Sequence, residues 1–128
     1  MRFARNSISK FGFSLVEIMV VVAIVGILAT LATLNFVVAR DNARLNMIRS
    51  NLTKIEHAKV QWALEKNQPD GAPVQDLSEL AEYLRGGTVQ PVYQEVYVPN
   101  AIGTLAEATL PPGVALGSYG PGSSIFAP

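Results

Sequence analysis

The hydrophobic pattern of this chain changes character twice. From Ile18 to Ala39 runs IMVVVAIVGILATLATLNFVVA, 22 residues without a charge. That length is enough to cross about 30 Å of hydrocarbon as a helix. A buried core helix of a soluble protein is the alternative, but such helices rarely run this long without a polar face. Beyond Ala39 the pattern becomes a narrow stripe. Leu45, Ile48, Leu52, Ile55 and Trp62 recur at spacings of 3, 4, 3 and 7, with Lys59 in the one missing place. This is the seam of an amphipathic helix on an otherwise charged surface. Helix formers are dense through Lys54–Lys66, and Asn67-Gln68-Pro69-Asp70-Gly71 is the stop signal. One helix is therefore expected from Phe13 to Asn67, about 80 Å long if straight at 1.5 Å per residue.

The last third reads differently. All 8 prolines lie at or after Pro69. Asp76-Leu77-Ser78-Glu79 has capping-box form, and Leu77, Leu80, Ala81 and Leu84 make one apolar face, so a short helix is expected at 77–85, stopped by Gly86 and Gly87. Val92–Val98 reads as a strand between Pro91 and Pro99, with further strands near Thr104–Leu110 and Val114–Tyr119. Gly117–Pro121 and Gly122–Ser124 read as loop. So small a segment makes a marginal core alone without disulfides or metal. It should fold against the stripe, with Leu52, Ile55 and Trp62 as the helix–head core. The expected fold class is α+β: a long N-terminal helix, membrane-spanning in its first half, packed on a small head with a short helix and a few antiparallel strands. The divisions are a leader at 1–12, a spanning helix at 13–39, its amphipathic continuation at 40–67 and the head at 68–128.

Composition narrows the chemistry. The chain has 128 residues, 49% hydrophobic, with a formal net charge of zero, no cysteine and one histidine, His57. Its mean hydropathy is +0.27. A global basic surface for nucleic acid is not supported. Disulfides, thiolate metal sites and a Cys nucleophile are excluded, and a His-based triad plus metal chemistry nearly so. His57 reads as a solvated surface histidine. Tyr93, Tyr97 and Tyr119 read as sheet packing rather than surface contacts. Ser123-Ser124 has no partner base. After Asp76 the carboxylates are Glu79, Glu82, Glu95 and Glu107, too scattered for a calcium loop. No metal, cofactor or catalytic residue is assigned.

The charges are segregated. Residues 1–12 carry Arg2, Arg5 and Lys10 without an acid, for +3. Residues 40–66 sum to +3 and residues 67–128 to −5, with Glu17 completing the total. The basic leader should hold the N-terminus in the cytoplasm, although Arg40 and Arg44 on the far side weaken the asymmetry. A cleaved secretory signal fits less well, because Glu17 interrupts the start of the apolar run and no A-x-A site follows.

Gly12-Phe13-Ser14-Leu15-Val16-Glu17 joins leader and apolar run. Here the sequence resembles the type IV pilin and type II secretion pseudopilin family, over KFGFSLVEIMVVVAIVGILATLA, residues 10–32. The stretch Asn51–Glu65 is more weakly similar to secretion pseudopilins, and with the short head it tilts the reading modestly that way. The resemblance implies a prepilin peptidase that cuts between Gly12 and Phe13 and methylates Phe13. The mature chain would have 116 residues and a charge of −3. It implies a filament of copies of this or related chains, built by an inner-membrane assembly platform, with the head in the periplasm. It also implies that Glu17 pairs with the N-terminal amine of a neighbouring subunit.

Elementary physics bears on the same residues. A glycine before the cut lets the backbone enter a tight protease cleft. Glu17 in hydrocarbon costs about 2.5–3.5 kcal/mol on insertion-type scales. An unpaired buried charge costs more than its pair gains, so a neighbour's amine would favour one registry. The alternative for Glu17 is an interfacial acid at headgroup level near the helix start. Gly26, with Ala29, Thr30 and Thr33, offers a small-residue packing surface or simply a tolerated membrane glycine. The leading function is thus a non-enzymatic filament subunit. The rivals are an unprocessed, monomeric, signal-anchored periplasmic binding module and a membrane-anchored enzyme accessory with a site among the tyrosines.

Overall fold

The computed structural model describes residues 12–128, and the basic leader residues Arg2, Arg5 and Lys10 lie outside them. The chain divides into two compact units, one ending at Phe36 and the other running Val37–Pro128. Helix α1, Leu15–Glu65, is 51 residues long and supplies residues to both.

In the first unit α1 has no internal core. Every side chain described from Gly12 to Thr33 is exposed, and the helix is long and apolar enough to cross a membrane. Its two hydroxyls turn back onto the backbone: Thr30 Oγ1 donates to the Ile27 carbonyl at 2.7 Å and Thr33 Oγ1 to the Ala29 carbonyl at 2.9 Å. Neither threonine hydrogen is left for hydrocarbon.

In the second unit the stripe residues become a core. Ile48, Leu52 and Ile55 are fully buried, with Ala58 beside them. The helix ends two residues before the expected Asn67, and Asn67 itself makes the ending. At φ 49° it is left-handed, and the Gln68 amide donates to the Ala63 carbonyl at 2.9 Å. This is the Schellman arrangement, with Pro69 just beyond.

The head opposite this stripe is built on three short antiparallel strands: β1 Val96–Val98, β2 Glu107–Thr109 and β3 Ser124–Phe126, in the order β1-β2-β3. Tyr97 pairs with Ala108, and Ala108 with Ile125. These three are buried and belong to one core with Leu52, Ile55, Leu80, Leu84, Leu110 and Leu116. The α+β class is as expected.

Four local expectations are corrected. The helix at 77–85 is a four-residue 3-10 helix, Leu77–Leu80, followed by turns. The Leu80 carbonyl accepts from both Tyr83 and Leu84 at 3.0 Å, which tightens the chain into Gly86 and Gly87. Asp76 caps it through the Leu77 amide at 2.6 Å, while the Glu79 amide goes to the Asp76 carbonyl instead of the capping-box bond. The strand at Val92–Val98 shrinks to Val96–Val98, because Glu95 takes the amides of Val92 and Tyr93 and Gln94 sits at φ 62°. The strand at Val114–Tyr119 reduces to an isolated bridge, Leu116 with Tyr119. The true third strand starts at Ser124, inside a stretch expected as loop, because Ile125 provides the inward apolar side chain opposite Ala108.

Candidate functional site

Two groups of residues matter, one in each unit. The first is the start of α1. Gly12, Phe13 and Ser14 precede the helix, whose first turn is closed by the Ile18 amide on the Ser14 carbonyl at 3.2 Å. Phe13 is 77% exposed, and Glu17 is exposed in the first turn of α1. A Cβ placed on Gly12 meets nothing within 4 Å, and the same is true of Gly26. Packing within this chain therefore does not require either glycine. Glu17 follows Phe13 by four residues, about one helical turn. An amine created at Phe13 and the Glu17 carboxylate would thus lie at the same end of one helix. Gly12, Phe13 and Glu17 belong to a different unit from the head's core residues.

The second group fastens the head to α1. Leu52 and Ile55 are fully buried, and Trp62 packs half-buried against the same core. Lys59, the apparent gap in the stripe, is buried to 1% exposure. Its ammonium donates to the Thr104 carbonyl and, at 3.1 Å, to Glu56 Oε1. The same Glu56 oxygen accepts the Ala106 amide. The stripe position is thus filled by a long aliphatic stem ending in a satisfied charge. Sequence spacing located Lys59, but Thr104, 45 residues beyond Lys59, and Ala106, 50 residues beyond Glu56, carry no local signal.

A second buried polar node lies on the sheet side. Asn51 Nδ2 donates to the Tyr97 hydroxyl at 3.0 Å and to the Gln90 carbonyl at 3.1 Å. The Tyr97 hydroxyl donates to Glu95 Oε1. Burial pushes the Glu95 carboxyl up, but the bonds from Tyr97 and from the Val92 and Tyr93 amides outweigh it, and its pKa falls below 4.5. Burial, with the Glu95 carboxylate beside it, pushes the Tyr97 hydroxyl well up. Tyr97 is thus core, and Tyr119 packs half-buried against that core. Tyr93 instead stacks under the Arg44 guanidinium, 4.4 Å from its ring centroid. Arg44 also approaches Asp41 at 3.8 Å. His57 is exposed on α1, as expected of a solvated surface histidine. Among the described residues no group of three His, Cys, Asp or Glu is placed to hold a metal.

Neither node presents a nucleophile beside a base. What the arrangement does is pack the head against the second half of α1, while the side chains described for its first half are exposed.

Comparison with known proteins bears on the bare half. Residues 9–33 match the model of the prokaryotic N-terminal methylation motif. The chain is 35% identical over 68 residues to the type IV major pilin protein PilA of Myxococcus xanthus (strain DK1622). That match covers 53% of this chain and 31% of that pilin, so the chain spans about a third of the relative's length. No solved structure gives a significant match. Together the motif and the pilin match support a similarity to type IV pilin-like proteins.

Proposed function

We propose that this chain is the structural subunit of a filament, made as a prepilin and polymerised after processing. Prepilin peptidase cuts between Gly12 and Phe13 and methylates the new Phe13 amine. Before assembly the subunit spans the inner membrane once, with the basic leader, Arg2, Arg5 and Lys10, in the cytoplasm and the head in the periplasm. An assembly platform then lifts it into a type II secretion pseudopilus or a type IV pilus. The apolar helices bundle at the filament centre and the heads pack outside.

One observation carries the reading. The methylation motif at 9–33 runs into a helix whose apolar side chains are exposed along the described part of the first unit. Such a surface needs a cover: lipid first, then the helices of other copies. Within that cover Glu17 is the lone charge. Pairing it with a neighbour's Phe13 amine offsets its desolvation and sets the subunit registry. Methylation keeps the amine's charge, so the pair survives it. The charge split between residues 40–66 and 67–128 supports head contacts between copies that loosen as salt rises.

The testing experiment is the intact mass of the protein from cells that carry the secretion or pilus machinery, with filaments looked for in the same preparation. Loss of residues 1–12 plus one methyl group on Phe13 is the expected result. An uncut chain beginning at Met1 refutes the processing and leaves a monomeric signal-anchored module. The neighbouring genes separate the two filament types, since a retraction ATPase accompanies a pilus.

A further inference from the structure

A groove of about 760 Å³ lies in the second unit, between the flank of α1 and the segment 83–92. Its lining includes Asn51, Lys54, His57, Tyr83, Arg85 and Thr88 and contains no carboxylate residue. Among the described residues neither Lys54 nor Arg85 nor His57 is within ion-pair distance of an acid. The Lys54 ammonium reaches only the Asn51 side-chain oxygen, at 3.1 Å, so its charge is not neutralised. The Tyr83 hydroxyl at the groove wall turns to the Glu65 carboxylate, and that hydrogen bond, with burial and the charges of Glu65 and Glu82, pushes its pKa up to about 12. The groove is a concave site with two full positive charges, from Lys54 and Arg85, beside the His57 imidazole.

The complementary surface is on the same chain. Asp76, Glu79 and Glu82 lie along the short 3-10 helix and its following turn, and all three are exposed. Among the described residues none of the three is in an ion pair. The Asp76 carboxylate accepts from Leu77 and Ser78, which fixes its place but leaves its charge.

We propose that the groove docks the acidic ridge Asp76–Glu82 of a second copy of this chain. The occupant is argued from charge. Three exposed acids on one copy meet Lys54, His57 and Arg85 on the next, and neither set is satisfied within its own subunit. In a filament of the kind proposed above, the groove of each copy takes the ridge of the next, a heterologous contact. Each docked pair then keeps one free groove and one free ridge, and the contact repeats along the array. The inference rests on the filament reading above, which supplies neighbouring copies; it adds the residues through which heads meet. Such a contact gives orientation and partner choice more than raw affinity.

The test uses the absence of natural cysteine. Two full-length chains of different tag size, one with Ser78→Cys and one with Thr88→Cys, are produced together in cells that assemble the parent filament, then mildly oxidised. The expected product is a mixed 78–88 disulfide that exceeds the 78–78 and 88–88 products. Arg85→Glu on the groove chain lowers it about tenfold, and Glu79→Arg on the ridge chain restores it. High salt lowers it without any substitution. Filaments that form normally while the mixed link stays at or below the like-with-like links overturn the docking and leave the filament reading intact. Protection of the Thr88→Cys thiol from maleimide by polyphosphate, with no mixed link, also overturns it and gives the groove to a free polyanion. A parent chain that is processed but forms no filament refutes the filament reading, and the mixed link measured in the same membranes still decides the docking.

Discussion

Lys59→Ala is the sharpest probe of how the head is held. The ammonium it removes serves the Thr104 carbonyl and Glu56 Oε1, and the same Glu56 oxygen holds the Ala106 amide. Removing one partner of a buried ion pair costs about 3–5 kcal/mol. The Glu56 side chain keeps 27% of its exposure, so water reaches it, and the low end applies, about 3 kcal/mol with the lost stem packing included. For a unit of roughly 90 residues each kcal/mol shifts Tm by about 4–8 °C, so the expected fall is about 12–24 °C. Lys59→Met keeps the stem and loses only the cation, for about 2 kcal/mol. Lys59→Met with Glu56→Gln removes both charges while leaving the Ala106 amide an acceptor, and should lie within about 1 kcal/mol of the parent. The assay is thermal unfolding of the full chain in detergent micelles, followed by fluorescence of Trp62. Trp62 is the single tryptophan and packs on the same core. A fall below about 4 °C for Lys59→Ala, or a double variant as unstable as Lys59→Ala, would refute the reasoning.

Three more outcomes follow from the same geometry. Glu95 has a lowered pKa in the fold, so its contribution is full above its ordinary value of 4.5 and is lost as pH falls through the folded value; the urea midpoint should drop on acidification, and Glu95→Gln should flatten that dependence. Unchanged acid sensitivity in Glu95→Gln would assign it to other carboxylates. Glu17→Gln and Glu17→Val should be cleaved as the parent is, by intact mass, yet enter sheared filaments poorly; normal filament yield sinks the amine pairing. Leu52→Ala empties a fully buried site and should cost about 2–5 kcal/mol in denaturant unfolding, while a loss under about 1 kcal/mol would mean that the head does not pack on this stripe.

The parts legible from sequence were those written in local periodicity. The apolar run and the 3–4 stripe make one helix in any context, and α1 falls within two residues of its expected ends. The prepilin-type signature is linear, so reading it needs no fold. Strand limits depend instead on what lies nearby in space. Val92 and Tyr93 have strand propensity, but the Glu95 carboxylate takes their amides before a neighbouring strand can. Tertiary context overrides β-propensity in this way. At 114–119 and 124–126 two β-prone stretches compete for the edge of β2, and the register that puts Ile125 beside Ala108 decides it. Lys59 stood out as the odd member of the stripe, but only the return of Thr104 and Ala106 to α1 shows why a lysine can be buried there.

A division of labour follows. Residues with intramolecular work, such as Leu52, Lys59 and Asn51 on α1 and Tyr97 in the head, join the head to the helix. Residues without it sit together at the start of α1: Gly12 has open space where a Cβ would stand, Phe13 is exposed, and Glu17 is exposed within an apolar face. If lipid alone covered this helix, Glu17 would cost about 2.5–3.5 kcal/mol and return nothing. A cationic partner inside the cover turns that cost into specificity, because a slipped neighbour leaves the carboxylate unpaired. A free amine four residues upstream is the nearest cation that processing of this chain can create. The cut at Gly12 and the proposed role of Glu17 are therefore one proposal: without the cut there is no amine at Phe13 for the glutamate to pair with.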